Sequence, residues 1–151
     1  KIMHTNIQAQ LWLTQMVVPD MKTRKDGAIV LVSSIGGMRG SDVIGAYNIS
    51  KAADIQLAKN LAVELGPDNI RVNAILPGIV EGPRMEGVIQ ARAKATGVNY
   101  GEMETEYLRN ISLRRMVSSN DVASTAAVLI SDLGANLSGQ SLAVDGNVEN
   151  L

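Results

Sequence analysis

Apolar residues Ile2, Ile7, Leu11, Leu13, Val17 and Val18 recur near helical spacing along the opening stretch. Residues 1 to about 21 are therefore expected to form an amphipathic helix, with Pro19 kinking or ending its last turn. The cluster KTRKDG signals a turn. GAIVLVSS (27–34) follows as a short, unbroken run rich in β-branched residues, the mark of a strand buried on both faces. IGGMRGSDVIG reads as a glycine-rich loop. GAYNISKAADIQLAKNLAVELGP (45–67) then gives a long helical pattern to Leu65, with Gly66 where a C′ residue belongs and Pro67 just after it. IRVNAIL is a second buried strand that ends at Pro77-Gly78. Residues 81 to about 116 are polar and mixed in charge, with helical stretches at 84–95 and 101–110. Ser118 and Asp121 have the spacing of a capping box opening a helix over 121–131, and SLAVDG closes as a third strand.

Strands that alternate with helices of a dozen or more residues imply right-handed crossovers and a parallel sheet, hence an α/β fold. In open α/β sheets ligands bind beyond the carboxyl ends of the strands. That rule singles out Ser33-Ser34, Pro77-Gly78 and Asp145-Gly146. The polar excursion, about 81–117, also leaves from a strand end, where a lid over a site would be anchored.

Composition narrows the classes of function. The chain has 151 residues, one domain's worth, and a net charge of −1, which gives no electrostatic case for nucleic acid. Cysteine is absent, excluding disulfides and thiolate metal sites, and His4 is the only histidine, read as a helix-face residue; no metal is expected. No apolar run approaches the roughly 18 residues of a membrane span and no leader precedes the first helix, so a cytoplasmic protein without a membrane partner is expected. Phenylalanine is missing, so the core must come from Val, Ile, Leu, Ala and seven Met. The sequence opens inside a helical pattern without an initiating Met, and so is expected to be part of a longer or processed protein.

Tyr47 and Lys51 lie four residues apart at the start of the long helix, on one face. A free tyrosine, with a pKa of about 10, is a weak acid–base catalyst at neutral pH, and a nearby ammonium favours its phenolate. Ser34, at the mouth of the preceding strand, could donate a hydrogen bond to a substrate oxygen. Together these suit proton transfer at a carbonyl or alcohol. The alternative is a solvated helix face, and the pair alone does not decide between them.

Asn6 in HTNIQAQ, Ser34 in IVLVSS, YNISK thirteen residues later, IRVNAILPG and the terminal SGQSLAVDG occur together in one order and spacing. In these features the sequence resembles the short-chain dehydrogenase/reductase family over essentially its whole length. The resemblance implies a Rossmann-like, doubly wound parallel sheet, present here only in part, as the C-terminal portion of a single domain. It also implies hydride transfer between NAD or NADP and a secondary alcohol or ketone. Tyr47 would be the general acid or base. Lys51 would promote its ionisation and bond the nicotinamide ribose, Ser34 would orient the substrate oxygen, and Asn6 would hold a water in a proton relay. Pro77, Gly78 and Val80 would line the nicotinamide. Gly82 stands where the family often has a threonine that meets the carboxamide, which puts that contact in doubt. The family's glycine-rich TGxxxGxG turn has no match, and the segment that selects NAD or NADP is also missing. The resemblance further implies a homo-oligomer, dimer or tetramer, built on the first helix and the Tyr47 helix.

A competing expectation is a catalytically inactive half-domain that serves as a binding or oligomerisation fragment, since the GAIVLVSS strand would lose the neighbour on its outer edge. Ser33 is expected to be structural, and Asn73 and Asp145 to anchor turns or strand ends. Met38, Met85 and Met103 could face substrate or fill core.

Overall fold

The computed structural model describes residues 1–41 and 43–148. Its centre is a three-stranded parallel sheet in the order β1 (Gly27–Val32), β2 (Ile70–Pro77), β3 (Ser141–Val144). Gly27 pairs with Ile70 and Val32 with Ile75, while Ala74 pairs with Ser141 and Pro77 with Val144. All three strands therefore end together, at one rim of the sheet. The helices are α1 (Ala9–Arg24), α2 (Gly45–Leu65), α3 (Pro83–Thr96), α4 (Tyr100–Arg109) and α5 (Ser119–Ile130). The fold is a partial Rossmann-like α/β sandwich, as the order of elements implies.

The two long strands carry similar sequences but are buried differently. In β2, Ile70, Val72, Ala74, Ile75 and Leu76 are all buried, and Ala58, Leu61 and Leu65 of α2 pack with all of these but Ile75 in the main core. In β1 only Leu31 is buried and Val32 is 52% exposed, which departs from the expectation of a strand covered on both faces. The physical reason is position. β2 has a hydrogen-bonded neighbour on each side, whereas β1 has one only on its β2 side among the described residues.

The first helix differs from expectation in three ways. It opens as a π-helical turn, His4–Gln8, before becoming α-helical at Ala9. It also continues through Pro19 to Arg24, on an exposed face where water can serve the carbonyl that the proline leaves unbonded. Finally, its apolar residues do not all face inward: Leu13 is 63% exposed and Met16 75%. At the end of α2, Gly66 is right-handed (φ −55°) and begins a short 3₁₀ turn; the left-handed residue is Asn69, at φ 58°. Asn69 can hold that conformation because its side chain donates to the Lys25 carbonyl, 2.9 Å away.

The capping box at α5 forms as its spacing predicts: the Asp121 N–H donates to Ser118 Oγ (3.1 Å) and the Ser118 N–H donates to the Asp121 carboxylate (2.9 Å). Arg71, on β2, gathers the far end of α5 by donating to the Leu129, Gly134 and Ser131 carbonyls. Asn73 donates to the Leu137 carbonyl and accepts from the Gln140 N–H, fixing the entry to β3, and Asp145 accepts from Asn147 and Val148. Both are the anchors their positions suggested. Residues 81–117 form a lobe in which Ile89, Ala93 and Met103 are buried against Met85, Tyr100, Tyr107 and Met116, while Leu108 and Ile111 join the main core. Val80 and Val117 pair at its base, and Ile111 pairs with Val148, so the lobe is tied to the rest of the fold at two places.

Candidate active site

Beyond the end of β1 the chain turns through Ser33 and Ser34 into a 3₁₀ turn, Ile35–Met38. This turn packs on the first turns of α2. Gly37 makes the approach possible, since a Cβ there would stand 2.7 Å from the backbone carbon of Lys51. Ser33 is buried and donates from Oγ to the Lys51 carbonyl (2.7 Å), a structural role. Ser34 is half-buried; its Oγ accepts from the Gly36 N–H (3.1 Å), which leaves the hydroxyl proton free to donate. Asn48 ties the other end of the loop by donating to the Arg39 carbonyl (3.0 Å).

Tyr47 is half-buried and its hydroxyl has no bonding partner among the described residues. Lys51 is buried, with its Nζ 5.9 Å from the Tyr47 ring centroid. The ammonium donates to the Val32 carbonyl (2.9 Å) and to Asp54 Oδ2 (3.0 Å). Its third N–H has no protein partner among the described residues. The structure thus brings Tyr47 and Lys51 together at the carboxyl end of β1, with Ser34 next along the chain from Ser33.

Asn6 lies in the π-helical turn, and its Nδ2 donates to Ser50 Oγ (2.9 Å), which in turn donates to the Tyr47 carbonyl (2.7 Å). One turn further on, Gln10 Nε2 donates to Asp54 Oδ1 (3.2 Å). These two rungs fasten the start of the first helix to α2 beside the Tyr47–Lys51 pair. Asp54 and Gln10 are absent from the expected site. The available signals were a carboxylate three residues after Lys51 and a run of polar residues, Asn6, Gln10 and Thr14, at four-residue spacing.

Pro77, the last residue of β2, and Gly78 and Val80 just past it lie half-buried, one strand over. Gly78 is required there by β3, because a Cβ would sit 2.5 Å from that of Asp145. Gly82 adopts φ 134°, which favours glycine, and caps α3 ahead of Pro83. It lines a cavity of about 310 Å³ with Met85, Tyr100, Glu104 and Arg115, inside the 81–117 lobe; Tyr47, Lys51 and Ser34 do not border this cavity. Met103 belongs to the lobe's core and Met85 packs against it, whereas Met38 is 55% exposed. His4 meets the edge of Trp12, with ring centroids 5.4 Å apart, on an exposed face. Among the described residues no helix is long and apolar enough to cross a membrane, and no group of three or more His, Cys, Asp or Glu is placed to hold a metal.

Parallel strands that converge on one rim, with a tyrosine and a buried lysine there, define a Rossmann-like α/β protein with a candidate proton-transfer site. Comparison with known proteins carries this to a family. The family profile described as Enoyl-(Acyl carrier protein) reductase matches residues 1–148. Dehydrogenase/reductase SDR family member 4 from Sus scrofa is 34% identical over 147 residues, covering 97% of this chain and 49% of the relative. L-sorbose reductase from Gluconobacter frateurii, solved with NADPH and L-sorbose, superposes with a TM-score of 0.90 at 28% identity, covering 99% of this chain and 57% of that one. An NAD⁺-bound xylitol dehydrogenase superposes with a TM-score of 0.86 at 28% identity, over 95% of this chain and 57% of that one. The chain belongs to the short-chain dehydrogenase/reductase family. It spans about half the length of the curated relatives it matches.

Proposed function

We propose that the protein carrying this chain is an NAD- or NADP-dependent oxidoreductase that interconverts a secondary alcohol and a ketone, with Tyr47 as its proton-transfer group. The observation that carries this reading is the pairing of a Tyr47 hydroxyl, unpartnered among the described residues, with a buried Lys51 ammonium at the carboxyl end of the sheet. The third N–H of Lys51 and the hydroxyl of Tyr47, neither with a partner among the described residues, suit ribose hydroxyls. Pro77, Gly78 and Val80 offer a half-buried backbone for a nicotinamide ring, with Gly82 at its margin. These residues fit the nicotinamide–ribose end of the cofactor. No described residue forms a glycine-rich turn for the pyrophosphate, and the choice between NAD and NADP stays open.

When bound, the nicotinamide supplies or accepts the hydride at the carbinol carbon. In reduction, Tyr47 gives its hydroxyl proton to the substrate oxygen, and Ser34 donates a hydrogen bond that orients the same oxygen. The positive charge of Lys51 stabilises the phenolate left on Tyr47. Asn6, in the π-helical turn, supports the water that returns a proton through Lys51. In oxidation the tyrosinate takes the alcohol proton and the same groups act in reverse. Tyr47→Phe is expected to lower turnover by about 10²–10⁴-fold, the usual worth of a positioned acid–base group. Unchanged turnover in a steady-state assay of this variant would sink the mechanism.

The exposed apolar residues of α1, among them Trp12, Leu13 and Met16, support a homo-oligomer built on that helix and α2. A second reading, a binding or oligomerisation fragment without catalysis, draws on the uncovered outer edge of β1. It predicts no saturable binding of NADH or NADPH.

A further inference from the structure

Asp54 is wholly buried (0% exposed), one turn beyond Lys51 on the same helix. A carboxylate at such a place costs desolvation energy unless both its oxygens are engaged. Here they are: Oδ2 faces the Lys51 ammonium at 3.0 Å and Oδ1 accepts from Gln10 Nε2 at 3.2 Å. The two partners come from different elements, α2 and α1, so the carboxylate is aimed from both sides. Gln10 is committed to this contact, because its other amide atom, Oε1, is buried without a partner. The reverse amide orientation would set two acceptors against each other.

We propose that Asp54, braced by Gln10, is a positioning residue that keeps the Lys51 ammonium charged and fixed beside Tyr47. The proposal rests on reading Tyr47 and Lys51 as the proton-transfer pair. A buried ammonium without a counter-charge tends to lose its proton, and a neutral lysine offers a tyrosinate no charge stabilisation. Asp54 is the only charged group that bonds Lys51 among the described residues. Around the ammonium, α2 supplies Tyr47 and Asp54, β1 supplies the Val32 carbonyl, and α1 supplies only the neutral Gln10 through Asp54. Burial pushes the Asp54 carboxyl up from the ordinary range, opposed by the bonds from Lys51 and Gln10, so its charge depends on those two partners. The Val32 carbonyl also favours the ammonium by accepting from it, but only the Asp54 carboxylate brings a full opposite charge.

The test is a spectrophotometric titration of the Tyr47 phenol in the full-length protein, isolated from Tyr100 and Tyr107 by subtracting the titration of a Tyr47→Phe variant. Asp54→Asn is expected to move the Tyr47 ionisation to higher pH by about one pH unit, the scale of losing one neighbouring charge. Gln10→Met should move it the same way by less, and Asp54→Glu should restore most of the original behaviour. In an alcohol-oxidation assay the acidic limb of the kcat profile should follow the phenol. An ionisation that is unchanged in Asp54→Asn, or that moves to lower pH because the carboxylate had been offsetting the lysine's charge, would overturn the proposal. If Asp54→Asn does not fold, Gln10→Met against Asp54→Glu decides by the same directions. A Tyr47→Phe protein with full turnover would instead remove the reading on which the proposal rests, while the phenol titration would still report what Asp54 does to the pair.

Discussion

The two halves of α2 bury opposite kinds of side chain. Its first three turns bury Asn48, Ser50, Lys51 and Asp54, and its last two bury Ala58, Leu61 and Leu65. The second half is ordinary core: apolar groups against β2, stabilised by area removed from water. The first half instead buries polar groups that meet partners on other elements: the Arg39 carbonyl for Asn48, Asn6 for Ser50, the Val32 carbonyl for Lys51 and Gln10 for Asp54. One helix thus divides polar pairing from apolar packing, and the boundary falls between Asp54 and Ala58.

The strongest way to break this division is Lys51→Met. Turnover should fall by about 10²–10⁴-fold, and the buried Asp54 carboxylate left behind should destabilise the fold by about 3–5 kcal/mol in urea unfolding. Adding Asp54→Leu should recover the stability, since exchanging a whole buried ion pair for apolar side chains is often neutral or better, but it should recover no turnover. Recovery of both would mean that the first half of α2 is only core of another kind. In the other half, Leu65→Ala should cost about 2–5 kcal/mol and leave the pH dependence of turnover unchanged below the melting range.

The smallest effect is in the pH dependence of stability. Asp54 is raised by burial, so the folded state holds its proton more tightly than the unfolded state does. Its contribution is present at and below the ordinary carboxylate range and is lost as pH rises through the raised value. Asp121 is lowered, chiefly by the Ser118 backbone N–H, so its contribution is present above that range and is lost as pH falls. Asp54→Asn should therefore remove a decline in stability with rising pH, and Asp121→Asn should remove a decline with falling pH. Denaturation midpoints measured from pH 3 to pH 7 would separate the two.

The elements that local pattern governs were legible. The β2 run, the Ser118–Asp121 cap and the Tyr47–Lys51 spacing each depend on residues a few positions apart. The first helix shows where that legibility stops. Its apolar spacing suggested the buried face, yet Asn6 and Gln10 turn toward α2 and Thr14 is buried, while Leu13 and Met16 face out. Asn6 and Gln10 each meet a residue 44 positions away, so the value of those polar groups exists only once two helices are side by side. β1 misleads for a similar reason: its sequence records a strand made to be covered, but not which neighbour covers it. The site residues at 77–82 were placed by resemblance, and the geometry adds that Gly78 answers to Asp145 before it answers to any ligand.

The Val80–Val117 pairing at the base of the 81–117 lobe gives that segment a natural history of its own. A loop whose ends are already joined can lengthen cheaply, because doubling it adds only about 0.6 kcal/mol of closure entropy. Ile89, Ala93 and Met103 form a small core of their own, whereas Leu108 and Ile111 belong with the core of the sheet, so insertions in the turn between α3 and α4 would leave the strands in register. The turn between α3 and α4 is thus where this chain can gain length without disturbing the pairing of its strands.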